Sequence, residues 1–324
     1  MVDKAKLRDF IQETAAISIL VVGDVMLDQY YFGEVSRISP EAPVPVNRVT
    51  STKRTLGGAG NVAHNLALMG ATTTISGVIG GDHHGEILSD KLRKRLITSE
   101  LITTTKPTTA KLRIIGGHQQ MLRLDFEDTA PLTETELAEL LAAITPILPT
   151  THAVIISDYG KGVCTKDLCQ AVIKAAHAEG VPVFVDPKGG DWTKYEHADY
   201  ITPNLKEINQ VLAAAAENSD VAVTAAAEFV REKFQIGEVL VTRSEHGLSL
   251  IGKQPPVHIP TKAQEVFDVS GAGDTVLAVF ALAIAGGLAG EAAAYLANLA
   301  AGVVVGKVGT YAISQAELLE RLGG

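Results

Sequence analysis

The sequence predicts an α/β fold with a mostly parallel central sheet, helices on both faces and a small β lid. Three observations carry this. Several short runs, at residues 17–23, 153–157 and 181–185, are apolar at almost every position, as strands covered on both faces are. From residue 130 onward such runs alternate with helical patterns, which implies parallel strands joined by right-handed crossovers. Two segments, about 29–55 and 110–126, break that rhythm with alternating aromatic and polar residues and clustered prolines.

Taken in order, residues 1–15 read as a short amphipathic helix with no assignable chemistry. The strand at 17–23 runs into Asp24 and Asp28. Carboxylates just past a parallel strand lie where open α/β sheets bind ligands, so Asp24 is a candidate for accepting sugar hydroxyls, although a polar turn would account for it equally. Pro40, Pro43 and Pro45 exclude helix from the next segment and favour edge strands or loop. The second β-rich segment carries Lys111, Arg113, Arg123 and Asp125. Together the two form a lid or dimer surface, and exposed apolar residues on such a flap favour pairing with another copy.

Gly57 and Gly58 allow close backbone approach at the start of the next helix, and Asn61 in its first turn can both donate to and accept from sugar hydroxyls. The spacing of Gly57, Gly58 and Gly60 is not that of a dinucleotide fingerprint, and no clear strand precedes them. A strand at 72–79 leads to a loop at 80–85, whose His83-His84 pair lacks a further metal ligand and reads as solvated. Beyond it the strand ends carry Asp158 to Gly162, Asp186-Pro187-Lys188, Asn204-Leu205-Lys206-Glu207 and Thr242-Arg243 to Gly247. Parallel strands open to one edge, so Lys161, Lys188, Asn204, Glu207 and Arg243 are expected in one cleft. The small-residue stretch at 292–305, with Asn298, could pack against a flat adenine ring or simply against another helix.

Bulk composition narrows the partners. The 324 residues are 46% hydrophobic with a net charge of −9, which argues against nucleic acid or an anionic membrane surface. An anionic substrate would need a local basic pocket. Cys164 and Cys169 have neither zinc-site spacing nor the numbers for a disulfide framework, so a reduced, cytoplasmic setting is expected. No secretory signal is evident, and the longest apolar run, after Asp274, falls short of the roughly 20 residues that span a bilayer.

The most informative stretch is Asp268-Val269-Ser270-Gly271-Ala272-Gly273-Asp274, followed by an apolar run. It reads as a tight turn opening a buried helix. The first N–H groups of a helix lack internal partners and form an anion site, and Asp274 sits beside it. Phosphoryl transfer to a hydroxyl needs that pairing, an anion hole and an adjacent proton acceptor. A capped helix whose acid complements the dipole explains the same residues.

Together, Gly23-Asp24 with Asp28, Gly57 to Asn61, Asn204 to Glu207 and Asp268 to Asp274 resemble, in the same order, the motifs of the ribokinase-like (PfkB) carbohydrate kinases. The resemblance implies ATP as phosphoryl donor and Mg²⁺. It implies Asp274 as catalytic base and Gly271, Ala272 and Gly273 as anion hole. Asn204, Leu205, Lys206 and Glu207 would organise Mg²⁺ and the ATP phosphates, Glu207 through water. Thr242, Arg243 and Gly247 would border the nucleotide, with Asp268 and Asn298 on the same side, while Asp24, Gly57, Gly58 and Asn61 would hold the sugar. Within the family, residues 37–46 (R-I-S-P-E-A-P-V-P-V), 157–162 and 186–188 are similar to kinases of D-glycero-D-manno-heptose 7-phosphate, which act on the anomeric hydroxyl on the way to ADP-heptose and the lipopolysaccharide core. Lys111, Arg113, Lys161 and Lys188 are then the expected ring around the substrate's own phosphate. Such kinases are often fused to a C-terminal adenylyltransferase; this sequence has no counterpart to it, so a single kinase domain over 1–324 is expected, with an adenylyltransferase as a possible separate partner. A kinase for another sugar, a nicotinamide-dependent oxidoreductase and a non-catalytic sugar- or nucleotide-binding regulator are the rivals. The absent G-x-G-x-x-G after the first strand speaks against the second, and intact Asp274 and Glu207 against the third.

Overall fold

The computed structural model describes residues 3–261, 266–307 and 309–323. In chain order the elements begin with α1 (Lys4–Gln12), β1 (Ser18–Gly23), β2 (Val25–Ile38), β3 (Pro45–Gly58), α2 (Ala59–Leu68), β4 (Thr72–Gly80), α3 (His83–Lys94), β5 (Thr98–Thr104), β6 (Ala110–Gly116) and β7 (Gln119–Phe126). They continue with α4 (Glu134–Ile144), β8 (Ala153–Ser157), α5 (Lys166–Ala178), β9 (Val183–Asp186), β10 (Tyr200–Ile201), α6 (Leu205–Val211), α7 (Asp220–Phe234), β11 (Glu238–Thr242), β12 (Leu248–Ile251), β13 (Val257–Ile259), α8 (Ala272–Ala285), α9 (Gly290–Val304) and α10 (Gln315–Gly323).

Nine strands form the main sheet in the order β13-β12-β11-β10-β9-β8-β1-β4-β5. The seven from β11 to β5 are parallel, and β12 and β13 turn back antiparallel. A four-stranded lid, β3-β2-β6-β7, stands beside it. Full burial of β8 and near-full burial of β1 fit their continuous apolar sequences. Each face has its own core. One packs α2, α8, α9 and α10 onto the sheet. The other gathers α5 and α7 around Trp192 and Tyr195.

Helix α8 is apolar all round because it is enclosed all round. Every residue from Asp274 to Ala283 is buried. Phe280 meets the stacked Phe184–Tyr200 pair edge-on, at 5.9 and 5.5 Å. Those two rings sit on β9 and β10, so the contact fixes the helix beneath the strand ends and points its N-terminus at them.

Four expectations change. His83 and His84 lie in the first turn of α3, capped by Asp82, rather than in a loop; His83 pairs with Glu86 and His84 packs on Phe126. Gly57 and Gly58 are preceded by a strand, since β3 pairs with β2 through Gly58. Strand β5 went unread because T-S-E-L-I-T-T lacks an apolar run, and it lies at the sheet edge. The strict parallel alternation ends at β11 because the Arg243–Gly247 turn reverses the chain: Gly247 adopts φ +83°, and a Cβ there would lie 2.0 Å from the Ile259 carbonyl oxygen. No described helix is long and apolar enough to cross a membrane.

Trp192 is fully buried and packs against Phe234. Trp192→Ala should therefore lower the unfolding free energy by about 3–5 kcal/mol, read as a lower urea midpoint.

Candidate active site

Gly271 caps α8 in the left-handed region, φ 80°, and a Cβ there would lie 2.8 Å from the Asn61 amide nitrogen. The turn before it is braced by Asp268, whose carboxylate accepts from the N–H groups of Ser270 and Gly309 at 2.8 and 2.9 Å. Burial works to raise the Asp268 pKa, but the bonds from Ser270 and Gly309 outweigh it and hold the carboxyl below its ordinary value. Gly273 follows in the first turn, and a Cβ built on it would meet nothing within 4 Å. That open side faces a cleft of about 140 Å³, walled by Asp186, Lys188, Asn204, Glu207 and Thr242. A helix N-terminus at a cleft suits an anion; of the three expected amides that of Gly273 belongs to a residue lining this cleft, while the Ala272 N–H donates to the Val269 carbonyl at 3.2 Å.

Asp274 is 2% exposed. One carboxylate oxygen, Oδ2, accepts from the Asn61 side-chain amide at 2.7 Å. The other, Oδ1, accepts from the Tyr159 hydroxyl at 2.5 Å. Burial raises the pKa to about 6, the bonds from Tyr159 and Asn61 pull it down, and the nearby negative charge of Asp28 adds to the rise. Desolvation thus outweighs the two hydrogen bonds, yet at about 6 the group remains mostly ionised at neutral pH.

On the acceptor side, Asp24 departs from its expected role. It is 1% exposed, and its carboxylate is taken up by the backbone N–H groups of Tyr159, Lys161 and Val163 at 2.7, 3.0 and 3.1 Å. It ties the turn after β8 to the end of β1 and is closed to a sugar. Asp28 stands in its place. Its side chain pairs with Arg113 at 2.6 Å and accepts from Thr310 Oγ1 at 3.3 Å. It also lies so close to Gly57 that a Cβ there would come within 2.4 Å of Oδ2. Gly58, at φ +54°, closes the strand onto α2. Asn61 is committed to Asp274 rather than left to the sugar. Lys161 pairs with Glu127 at 2.7 Å. Burial and the charge of Lys161 lower the pKa of Lys111, and among the described residues no carboxylate lies within ion-pair distance of Lys111. Asp24 and Asp158 also approach Cys164, but Asp158 is already bonded to Lys194 and the Tyr195 hydroxyl, so that trio is a structural knot.

On the other side, Asn204 and Glu207 form a reciprocal capping box on α6, at 2.9 and 3.0 Å, which fixes Leu205 and Lys206 between them. Lys188 pairs with Glu207 at 3.3 Å. It belongs to this wall rather than to the ring around a sugar phosphate. Burial, then the charges of Glu207 and Asp274, push Asp186 well above the ordinary carboxylate range. Two acids crowded beside an anion hole suit a divalent cation, which Glu207 and Asp186 would hold. Arg243 leaves the cleft: its guanidinium is bonded to Asn218, Asp220 and Ser249 in the floor of a separate depression lined also by His246 and His258. Asn298 is buried and donates to the Pro260 carbonyl at 2.7 Å, a bond that anchors the chain after β13.

Comparison with known proteins shows the family and the fold. The model of the pfkB family of carbohydrate kinases matches residues 16–317. The chain belongs to that family. The bifunctional protein HldE of Methylobacillus flagellatus is 48% identical over 94% of this chain and 63% of its own length. Its Vibrio cholerae namesake is 44% identical over the same shares. The chain therefore spans somewhat under two thirds of these relatives. Solved structures share the fold: phosphofructokinase-2 from Escherichia coli with potassium (TM-score 0.77, 19% identity, 95% of this chain and 98% of that one), and Arabidopsis thaliana ribokinase complexed with ribose and ATP (TM-score 0.73, 21% identity, 94% and 98%).

The protein is thus a pfkB-type sugar kinase with a ribokinase-like fold, and three of its site groups were missing from the sequence-derived set. Tyr159 and Asp186 stood in strand-end motifs from which only Lys161 and Lys188 were selected. Asp28 was visible as a charge two residues from Tyr30, hence on the same face of β2, in a stretch otherwise apolar and aromatic.

A base must be ionised to accept a proton. With Asp274 titrating at about 6, kcat/KM should fall about tenfold per pH unit below that value and level off above it; a profile flat down to pH 4.5 would remove Asp274 as the titrating base. Asp274→Asn should bind ATP nearly normally and lose about three or more orders of magnitude in kcat.

Proposed function

We propose that this kinase transfers the γ-phosphoryl of ATP in line to O1 of D-glycero-D-manno-heptose 7-phosphate, giving the 1,7-bisphosphate that leads to ADP-heptose and the lipopolysaccharide core. The observation that carries the transfer is Asp274: a buried carboxylate, mostly ionised at neutral pH, in the first turn of a helix that reaches a cleft at Gly273. The γ-phosphoryl would lie against the Gly271–Gly273 turn, where the free amides at the helix end take up charge on its equatorial oxygens; the Ala272 N–H, bonded to the Val269 carbonyl, would have to be released to join them. Asp274 accepts the proton of the attacking hydroxyl. Little proton removal is needed early, because the transition state is loose, so a base near 6 suffices. A bound Mg²⁺ would neutralise charge on the phosphates. Glu207 and Asp186 would hold it, and Thr242 and Asn204 would border the nucleotide.

The phosphorylated acceptor is supported by Lys111 and Lys161. Lys161 lies close enough to help lower the pKa of Lys111, which among the described residues has no carboxylate within ion-pair distance; such a pair suits a dianion in a chain that is otherwise acidic. Arg113, paired with Asp28 at 2.6 Å, would orient that carboxylate for the sugar hydroxyls. The similarity to the HldE relatives and the three motifs at 37–46, 157–162 and 186–188 support heptose 7-phosphate over other acceptors. The alternative is a kinase for another sugar or sugar phosphate. The lid carries exposed Val35, Ile38, Val49 and Leu122, which fits pairing with a second copy. An adenylyltransferase acting on the product is the further partner this reaction implies, and two free cysteines fit a reducing cytoplasm.

A coupled ADP-release assay across free and phosphorylated sugars tests the proposal; turnover with heptose 7-phosphate should exceed that with free ribose or fructose 6-phosphate by at least about a hundredfold, in line with the discrimination available to a site built on paired charges. Lys111→Ala and Lys161→Ala should each raise KM for the sugar phosphate by about tenfold or more while leaving KM for ATP within about threefold. Equal effects on both substrates would count against a phosphate site there.

A further inference from the structure

Asp274 has two carboxylate oxygens, and both are occupied. Oδ2 is tied to Asn61 on α2, a helix packed directly on α8. Of the two, Oδ1 is the oxygen whose partner can turn away for an attacking sugar hydroxyl, and there the Tyr159 hydroxyl sits at 2.5 Å, hydrogen-bond distance for the proton a general base is to abstract. The backbone of Tyr159 cannot give way easily. Its N–H is held by Asp24 at 2.7 Å, and the Lys161 and Val163 amides are fastened to the same carboxylate. The ring alone is left to turn.

We propose that Tyr159 is a positioning residue that holds the acceptor's place on Asp274: its hydroxyl keeps the carboxylate ionised, aimed and shielded from water until the sugar hydroxyl displaces it. This rests on Asp274 being the base. Without the sugar, water at Oδ1 would be activated in its stead and the phosphoryl group would pass to water. A phenol already on Oδ1 denies water that position, and burial together with the charge of Asp274 keeps the phenol protonated. The groups facing Asp274 are the phenol of Tyr159, the amide of Asn61, and the acids Asp28 and Asp186. Of these, only Tyr159 and Asn61 donate to it and lower its pKa.

Tyr159→Phe in the full chain removes one of those two donors. With heptose 7-phosphate as acceptor, the acid limb of kcat/KM, which reports the free enzyme, should move up by about one pH unit. The acid limb of kcat should stay in place, because in the ternary complex the phenol has already left. KM for the sugar should fall, and ADP release without sugar should rise several-fold. Site-specific 3-fluorotyrosine at position 159, a stronger donor of nearly the same shape, should move the kcat/KM limb the other way. A limb that stays put in both variants overturns the proposal. Asp274→Asn retaining most of its activity would instead remove the base assignment, which separates the two failures.

Discussion

The structure depends on the enclosure of α8. A helix apolar on every side has no solvent face and can only be buried, and the Phe280 contact with Phe184 and Tyr200 sets how far it slides along the sheet. Its N-terminus then arrives at the strand ends with a carboxylate in its first turn. Burial penalises that charge, and two hydrogen bonds from distant parts of the chain compensate. The same packing that stabilises the fold therefore brings a helix N-terminus to the cleft and raises the pKa of the acid beside it.

Charge is divided across this helix end. On one side Asp186 and Glu207 crowd together, and among the described residues Lys188 is the cation that shares the cleft wall with them. On the acceptor side Lys111 and Lys161 lie near one another, with Asp28 neutralised by Arg113. The first arrangement is relieved by a cation, the second by an anion. The two ends of the groove thus differ in the charge they would welcome.

Much of this was legible in the sequence, for definable reasons. Continuous apolar runs revealed the parallel strands, because burial on both faces leaves no alternation to misread. The turn at 268–274 revealed the helix N-terminus, because its glycines and acid have few uses in that combination. What escaped was side-chain direction. Asp24 and Asp28 both follow β1 and look alike as letters, yet Asp24 turns inward onto three backbone amides and Asp28 turns towards Arg113. Arg243 follows a parallel strand like its neighbours, but Asp220 and Asn218 on and before α7 draw it away. Asn61 was found as a site residue, though its partner is a protein carboxylate. Hydrogen-bond partners remote in sequence decided each of these.

The ties that build the centre join residues far apart along the chain: Asn61 to Asp274 across 213 positions, Asp24 to the 159–163 turn across 135 to 139. Loops of that length close only after β8 has docked beside β1 and α8 has found its place. A nascent or partly unfolded chain accordingly owns the acid but not the means of keeping it charged and sheltered. The ties exist only in the assembled chain, so opening either one strips the acid of a donor or frees the turn that carries its phenol.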